Sequence, residues 1–333
     1  MRFVSPARLA AGGLFLLVVT AFILWLTPAD GYDIRLVDPA HPVAPLVHVP
    51  KERPGRGGGS IYFVDVSERR ARLLERLVPW IRADGSSLVR ASPISPALER
   101  SIGQQDMTDS QKIAATVALR YLGYRVHVQG GGVSVLLVEQ GAPAAAVLRP
   151  GDVIVAADGR ATRSVTALRA ALAEHRPGDR VTIRYRDAGK IHQATVRTVA
   201  DPQNPKRAII GISAEVALQV KLPIPVKIEV PGVLGPSAGL AFALDVLQEL
   251  GKNVAHGHRV AATGELALNG SVGPIGGIKQ KTIGARRAGV DVFLVPAGDN
   301  AREARRYADG LRIVPVKNFP QALRRLATIG GKT

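Results

Sequence analysis

From residue 9 to residue 26 the chain reads LAAGGLFLLVVTAFILWL, with no charge and no polar face. A helix packed on a soluble core would keep one side polar. About 20 residues at 1.5 Å each cross a hydrocarbon layer of about 30 Å, so the pattern predicts a transmembrane helix over 9–26, embedded in a lipid bilayer. Trp25 stands near one end, as an interfacial aromatic would. Arg2 and Arg8 precede the run, and only Arg35 lies in the twenty residues after it. That asymmetry predicts a single-pass cell-membrane protein with a cytoplasmic N-terminus and all later residues extracytoplasmic. The proline in Thr27-Pro28-Ala29 disfavours signal-peptide cleavage, so the run is read as a retained anchor spanning 1–27 with its cytoplasmic tip.

Residues 28–59 carry six prolines and then Gly55-Arg56-Gly57-Gly58-Gly59, which predicts a juxtamembrane stretch with flexible parts. Residues 60–66 read as a strand. Leu73, Leu74, Leu77 and Val78 share one helical face, which predicts a helix over 67–82 capped by Ser67. A polar loop over 84–100 and a helix over 108–122 ending at Gly123 complete a linker and accessory region, 28–125. From 126 the pattern changes to short strands, at 133–138, 148–154, 180–187 and 192–199, with one helix near 164–174. A turn-rich linker at 201–205 separates this unit, 126–200, from 206–330. There strands near 208–212, 226–230, 261–268, 292–296 and 313–316 alternate with helices starting near 237, 276, 300 and 319. The expected class is α/β (α+β).

Composition narrows the chemistry. The 333 residues hold Lys+Arg 44 against Asp+Glu 27, a net charge of +17, with 46% hydrophobic and 21% charged residues. Such a chain folds, into about two domains. The absence of cysteine excludes disulfides, thiolate zinc sites, iron–sulfur clusters and cysteine nucleophiles. The basic residues are scattered, and no helix-turn-helix, RRM or zinc-finger spacing organises them. Anionic membrane or cell-wall polymers are therefore the expected counterpart, and no nucleic acid partner is expected. His256-Gly257-His258 has no carboxylate or third histidine close in sequence and reads as a loop, so no metal site is expected.

Four linked segments resemble a PDZ domain of the kind attached to bacterial proteases: Gly130-Gly131-Gly132-Val133, Gly141-Ala142-Pro143-Ala144, Leu148-Arg149-Pro150-Gly151-Asp152 and Arg176-Pro177-Gly178-Asp179. The resemblance implies binding of extended peptides by strand addition. The expected groove lies between 133–138 and the helix carrying Val165, Leu168 and Leu172, with Val133, Val135 and Leu168 as peptide-binding residues.

Gly235-Pro236-Ser237-Ala238-Gly239-Leu240 joins a strand region to a helix, where a serine would ordinarily serve as N-cap. A second block holds Thr263-Gly264-Glu265-Leu266 and then Gly270-Ser271-Val272-Gly273-Pro274-Ile275-Gly276-Gly277-Ile278-Lys279-Gln280-Lys281. The two blocks together closely resemble the proteolytic domain of the Lon family. The resemblance implies that Ser237 and Lys281 form a catalytic dyad, that Thr263 orients the lysine amine, that no metal or cofactor is needed, and that a homo-oligomer, a hexamer, can form. The physics of such a pair is restrictive. Lysine acts as a base only when neutral, so a pKa near 10.4 must fall by about three units for work at pH 7. Burial supplies that shift, and Ile275, Ile278 and Ile283 are the nearby apolar walls. Lys279 is expected to stay solvated. The Ser237 and Ala238 amides at the helix start are expected oxyanion donors, and Gly235 would let a substrate backbone approach.

Two departures from the family pattern qualify the resemblance. There is no G-x-x-x-x-G-K-[ST] phosphate loop, so ATP is not expected to take part. No Lys-Asp pair precedes Gly235; Pro231-Gly232-Val233-Leu234 stands there instead. Anchor, PDZ-like and Lon-like segments in one chain resemble a group of bacterial membrane-anchored proteases. That implies an ATP-independent extracytoplasmic serine endopeptidase acting on unfolded or membrane-proximal proteins. The alternative is a proteolytically inactive PDZ adaptor at the membrane.

Overall fold

The computed structural model describes residues 6–50, 58–187 and 189–329, with side chains from residue 10 onward. Its centre is a five-stranded sheet in the order His41–Pro42, Ser60–Phe63, Arg259–Ala262, Val292–Pro296, Arg312–Val316. All neighbours are parallel except the first pair. A parallel sheet needs cover on both faces, and alternation along the strands provides for it. Val260, Ala262, Val292 and Leu294 pack on one face with Leu240, Phe242 and Leu244 of helix Gly239–Glu249. Ala261, Phe293 and Val295 face the other way, onto Ile278 and Ala285 of helix Ile278–Arg287 and Ala301 and Ala304 of helix Asp299–Arg306.

The region 28–125 is not a separate accessory unit. Ser60–Phe63 lies in register beside Arg259–Ala262, from Ser60 against Arg259 to Phe63 against Ala262. The apolar residues Ile61 and Phe63 are buried in the same core as the C-terminal strands. The linker over 28–59 is likewise structured where described. Pro28–Val37 is a strand at the centre of a three-stranded sheet with Val66–Arg72 and Ser87–Arg90; residues 51–57, with Gly55–Gly57 of the glycine-rich stretch, lie outside the described residues. The helix expected over 67–82 is largely that strand Val66–Arg72, followed by a short helix Leu73–Leu77 and a turn at Pro79–Ile81. Pairing with Pro28–Val37 and burial of Ala71 against Ala29 and Ile34 override a helical preference in Arg-rich sequence. The helix expected over 108–122 begins earlier, at Pro96, where Ser95 Oγ accepts the Leu98 N–H; it runs to Tyr121.

The small β unit has its own core of Val133, Val135, Leu148, Ile154, Leu168 and Ile183. Its sheet runs Lys190–Arg197, Arg180–Asp187, Val153–Ala157, His127–Val138, Ile212–Lys221. The last strand comes from beyond the expected boundary at 200, because Ile212–Lys221 pairs along nearly all of His127–Val138. The unit is thus inserted within the larger domain. Chain enters it from helix Pro96–Tyr121 and leaves it toward Lys227–Ile228, which pairs with Val47–His48.

The helix Pro6–Leu26 runs through Thr27 into the strand Pro28–Val37. Among the described residues no helix is long and apolar enough to cross a membrane. The Arg2 and Arg8 side chains, on which the expected orientation rests, lie outside the described residues.

One buried group stands apart from the catalytic region. Asp245 is fully buried on helix Gly239–Glu249, and neither carboxylate oxygen has a hydrogen-bond partner. Burial, helped by the charge of Glu249, pushes its carboxyl up to about 8. Above its ordinary pKa the unfolded chain is ionised there while the fold retains the proton. The cost to stability therefore grows from about pH 4 and is complete above about pH 8. We expect Asp245→Asn to raise the melting temperature at pH 8, with the gain vanishing near pH 4, as read by thermal circular dichroism.

Candidate active site

Ser237 lies where the loop after Lys227–Ile228 turns into helix Gly239–Glu249. Every residue of that helix is buried. The long helix Pro96–Tyr121 holds the loop from the side. The Gly235 N–H donates to the Gly103 carbonyl at 2.8 Å, and Ser110 Oγ donates to the Pro236 carbonyl at 3.2 Å. The capping role that a serine here would ordinarily fill is not taken. The N-cap is Ala238, without a side-chain cap bond, and the Ser237 hydroxyl is engaged elsewhere. Lys281 Nζ donates to Ser237 Oγ at 2.7 Å.

Lys281 belongs to helix Ile278–Arg287 and is 3% exposed. Burial lowers its pKa to about 8; the carboxylate of Asp65 opposes the shift and the guanidinium of Arg35 reinforces it. Ile278 and Ile283, two of the expected apolar walls, are buried, and Ile275 is partly buried. Asn300 fixes the approach to this helix. Its Nδ2 donates to the Ile275 carbonyl and its Oδ1 accepts the Ile275 N–H, both at 2.9 Å. At Gly284 the helix meets residue 38 so closely that an added Cβ would lie 2.0 Å from the Asp38 carbonyl oxygen. Only glycine permits that approach.

Thr263 is fully buried, and its hydroxyl makes no hydrogen bond to the lysine amine. It donates to the Ser237 carbonyl at 3.1 Å, and the Gly264 N–H donates to the same oxygen at 2.8 Å. The threonine therefore positions the serine backbone. The Ser237 and Ala238 amides donate to no carbonyl among the described residues, which leaves them available to a developing oxyanion. Gly235 has φ +85°, and an added Cβ would meet nothing within 4 Å, so the loop is open on that side. Lys279 is not a free solvated charge. Its Nζ donates to the Ser86 carbonyl at 3.1 Å and lies 5.5 Å from the Tyr307 ring.

Asp65 and Arg35 were not among the residues singled out from the sequence. Asp65 closes the apolar run that begins at Ser60, the one available signal: an acid placed directly after a buried strand. Burial raises its pKa, with Asp38 adding repulsion, while His41 at 3.5 Å and Lys281 pull it down. Its Oδ1 is buried without a hydrogen bond.

The strand order of the β unit bears on the expected peptide groove. Val133 and Val135 are fully buried on His127–Val138, a strand with neighbours on both edges, so no peptide can be added there. Ile212–Lys221 is the edge strand on that side, and Lys190–Arg197 is the edge on the other. Between the start of Ile212–Lys221 and helix Val165–Leu172 lies a cavity of about 340 Å³, lined by Val165, Leu168, Leu172, Ile210 and Ile212. Leu168 lines this cavity, and Val133 and Val135 are core.

A serine and a desolvated lysine in hydrogen-bond contact at a helix mouth are an arrangement suited to nucleophilic catalysis. The comparisons narrow this class. Residues 192–328 match the Lon protease (S16) C-terminal proteolytic domain, and residues 120–198 match the PDZ domain family. The chain thus combines a PDZ domain with a proteolytic domain of the Lon serine peptidases. Among relatives, a Lon protease of Buchnera aphidicola is 39% identical over 94 residues, covering 27% of this chain and 12% of the relative. Lon protease 2 of Bacillus subtilis is 37% identical over 89 residues, covering 27% and 16%. The chain therefore spans under a fifth of the length of either relative. The PDZ domain of an SdrC-like protein from Listeria monocytogenes is 34% identical, covering 25% of this chain and 87% of that one, with a TM-score of 0.24.

The charges around Lys281 give a test with opposite signs. Asp65 raises the lysine pKa and Arg35 lowers it. We expect Asp65→Asn to move the acidic limb of the pH profile for Ser237 acylation by a fluorophosphonate probe to lower pH. Arg35→Gln should move it to higher pH. Equal profiles in both variants would show that neither charge reaches the amine.

Proposed function

We propose that the chain is an ATP-independent, membrane-anchored extracytoplasmic serine endopeptidase, with a PDZ domain that captures peptide segments of unfolded or membrane-proximal proteins. The observation that carries the reading is the 2.7 Å contact between Lys281 Nζ and Ser237 Oγ. With a pKa of about 8, roughly a tenth of the lysine is neutral at pH 7. In that fraction the contact reverses, and the Ser237 hydroxyl donates to the amine. Oγ attacks the scissile carbonyl carbon as Lys281 takes its proton. The Ser237 and Ala238 amides receive the oxyanion. The ammonium then protonates the leaving amine, and the neutral lysine draws a proton from the water that hydrolyses the acyl-enzyme.

Peptide capture follows from strand addition at the Ile212–Lys221 edge, with an apolar side chain entering the cavity beside Leu168. Membrane anchoring is supported by the uncharged run 9–26 and by the arginines that precede it. ATP independence is supported by the lack of a phosphate-loop sequence.

Digestion of an unfolded reporter without nucleotide tests the reading. Ser237→Ala should abolish cleavage. Lys281→Arg should reduce it at least about 10²-fold, because a guanidinium cannot accept the proton. Lys279→Arg should be tolerated, since positions 279 and 281 lie about 200° apart around the helix. Substantial cleavage by folded Lys281→Arg would remove the lysine from the mechanism, and a chain that binds peptide without cleaving it would be an adaptor.

A further inference from the structure

The membrane-proximal end of the molecule carries apolar side chains that the fold does not use. Trp80 is 83% exposed, Leu77 58% and Ile81 38%. They are close together in sequence, on the short helix Leu73–Leu77 and the turn Pro79–Ile81. Burying such residues is the usual outcome of folding, so three on one short segment call for a covering surface.

The place of this segment says what covers it. It packs directly on the end of the apolar helix Pro6–Leu26. The Leu73 N–H donates to the Thr27 carbonyl at 2.8 Å, and Arg72 donates to the Trp25 carbonyl at 2.7 Å. The Arg72 guanidinium lies 5.0 Å from the Trp25 ring. Beside it, Arg76 stacks 4.4 Å over Tyr32, and Arg90 is paired with Tyr32 across the sheet. Arg76 and Arg90 are both exposed, and neither has a carboxylate within salt-bridge distance among the described residues. Apolar tips, an indole and arginines grouped at the end of an apolar helix match the boundary of an anionic bilayer. Such a boundary takes indole and aliphatic groups into its headgroup layer and presents phosphates to guanidinium groups.

We propose that Leu77, Trp80 and Ile81, with Arg76 and Arg90, form a docking face that lies on an anionic lipid bilayer. The proposal rests on the anchoring reading and adds a second, interfacial contact to it. It has a consequence for the active site. The chain continues from this face into the turn at 84–87, which grips the helix bearing Lys281. Gln280 Nε2 donates to the Gly85 carbonyl at 3.0 Å and to Ser87 Oγ at 2.8 Å, and Arg287 pairs with Asp84 at 2.5 Å. A docked face therefore sets the height and tilt of the catalytic helix above the membrane.

The two tryptophans of the chain allow a direct test. Full-length protein is reconstituted into phosphatidylcholine vesicles containing phosphatidylglycerol, with the phosphatidylcholine brominated near the glycerol end of its acyl chains. In Trp25→Phe, Trp80 is the sole fluorophore, and its emission should fall by roughly half or more relative to unbrominated vesicles. Arg76→Gln with Arg90→Gln should reduce that loss. In Trp80→Phe, quenching of Trp25 reports the anchor alone. Quenched Trp25 with unquenched Trp80 would overturn the docking face and leave the anchor standing. Absence of quenching at both would overturn both readings. An unquenched Trp80 that is also shielded from aqueous acrylamide would mean that protein covers the face, and would equally overturn the proposal. Fluorophosphonate labelling of Ser237 in each variant confirms that the fold is intact.

Discussion

The desolvated ammonium of Lys281 is the constraint around which the larger domain is organised. A lysine in water holds its proton well above neutral pH, and only removal from water brings the amine within range of a serine hydroxyl's proton. At 3% exposure the side chain is nearly dry, and its pKa falls to about 8. Its helix must then be packed on every side. The sheet supplies one wall through Phe293 and Val295. The strand Pro28–Val37 and the residue after it supply another, made possible by Gly284. Asn300 clamps the entrance, and the turn at 84–87 holds the far flank. Asp65 is the counterweight: its charge limits how far burial can depress the amine.

That requirement explains why residues so far apart in sequence share one domain. Four of the groups around Lys281, namely Arg35, Asp38, Asp65 and Gly85, precede the PDZ domain, whereas Ser237 and Lys281 follow it. The inserted PDZ domain is tied to the catalytic loop by the helix Pro96–Tyr121. Ser134 Oγ, on a central PDZ strand, donates to Gln105 Oε1 at 3.0 Å. Two residues earlier on that helix, the Gly103 carbonyl accepts the Gly235 N–H. A rigid helix bonded to both the PDZ domain and the Ser237 loop couples their relative position.

The sequence made the chemistry legible and hid much of the architecture. Ser237 and Lys281 stand in two motif blocks that resemble the Lon proteolytic domain, so they could be found by reading along the chain. Arg35 could not, because its role comes from distance and burial, and Asp65 offered only its place directly after a buried strand. The strand Val66–Arg72 was hidden for a related reason. Its Arg-rich sequence has no strand preference, and only its partner Pro28–Val37 makes it one. The misplaced peptide groove has a topological cause. Residues 133–138 read as a strand, yet Ile212–Lys221 arrives from beyond the turn-rich linker and takes the edge at which a peptide was expected. Alternation reports a half-buried face and says nothing about which neighbour lies alongside.

A groove at the Ile212–Lys221 edge, as proposed, would change how binding relates to cleavage. The edge strand Ile212–Lys221 leads, through the short pairing of Lys227–Ile228 with Val47–His48, into the loop bearing Ser237. A segment held on that edge is therefore tethered to the same short stretch of chain that presents the nucleophile. Tethering replaces a bimolecular encounter with an intramolecular one, and local concentrations for short tethers reach the millimolar range. Under the proposed reading this works on substrates that are already extended, because strand addition requires a free backbone and offers no force to unfold one. Selection for unfolded segments then arises from the binding geometry itself, and the buried lysine can remain permanently poised, with access limited by what fits beside Leu168.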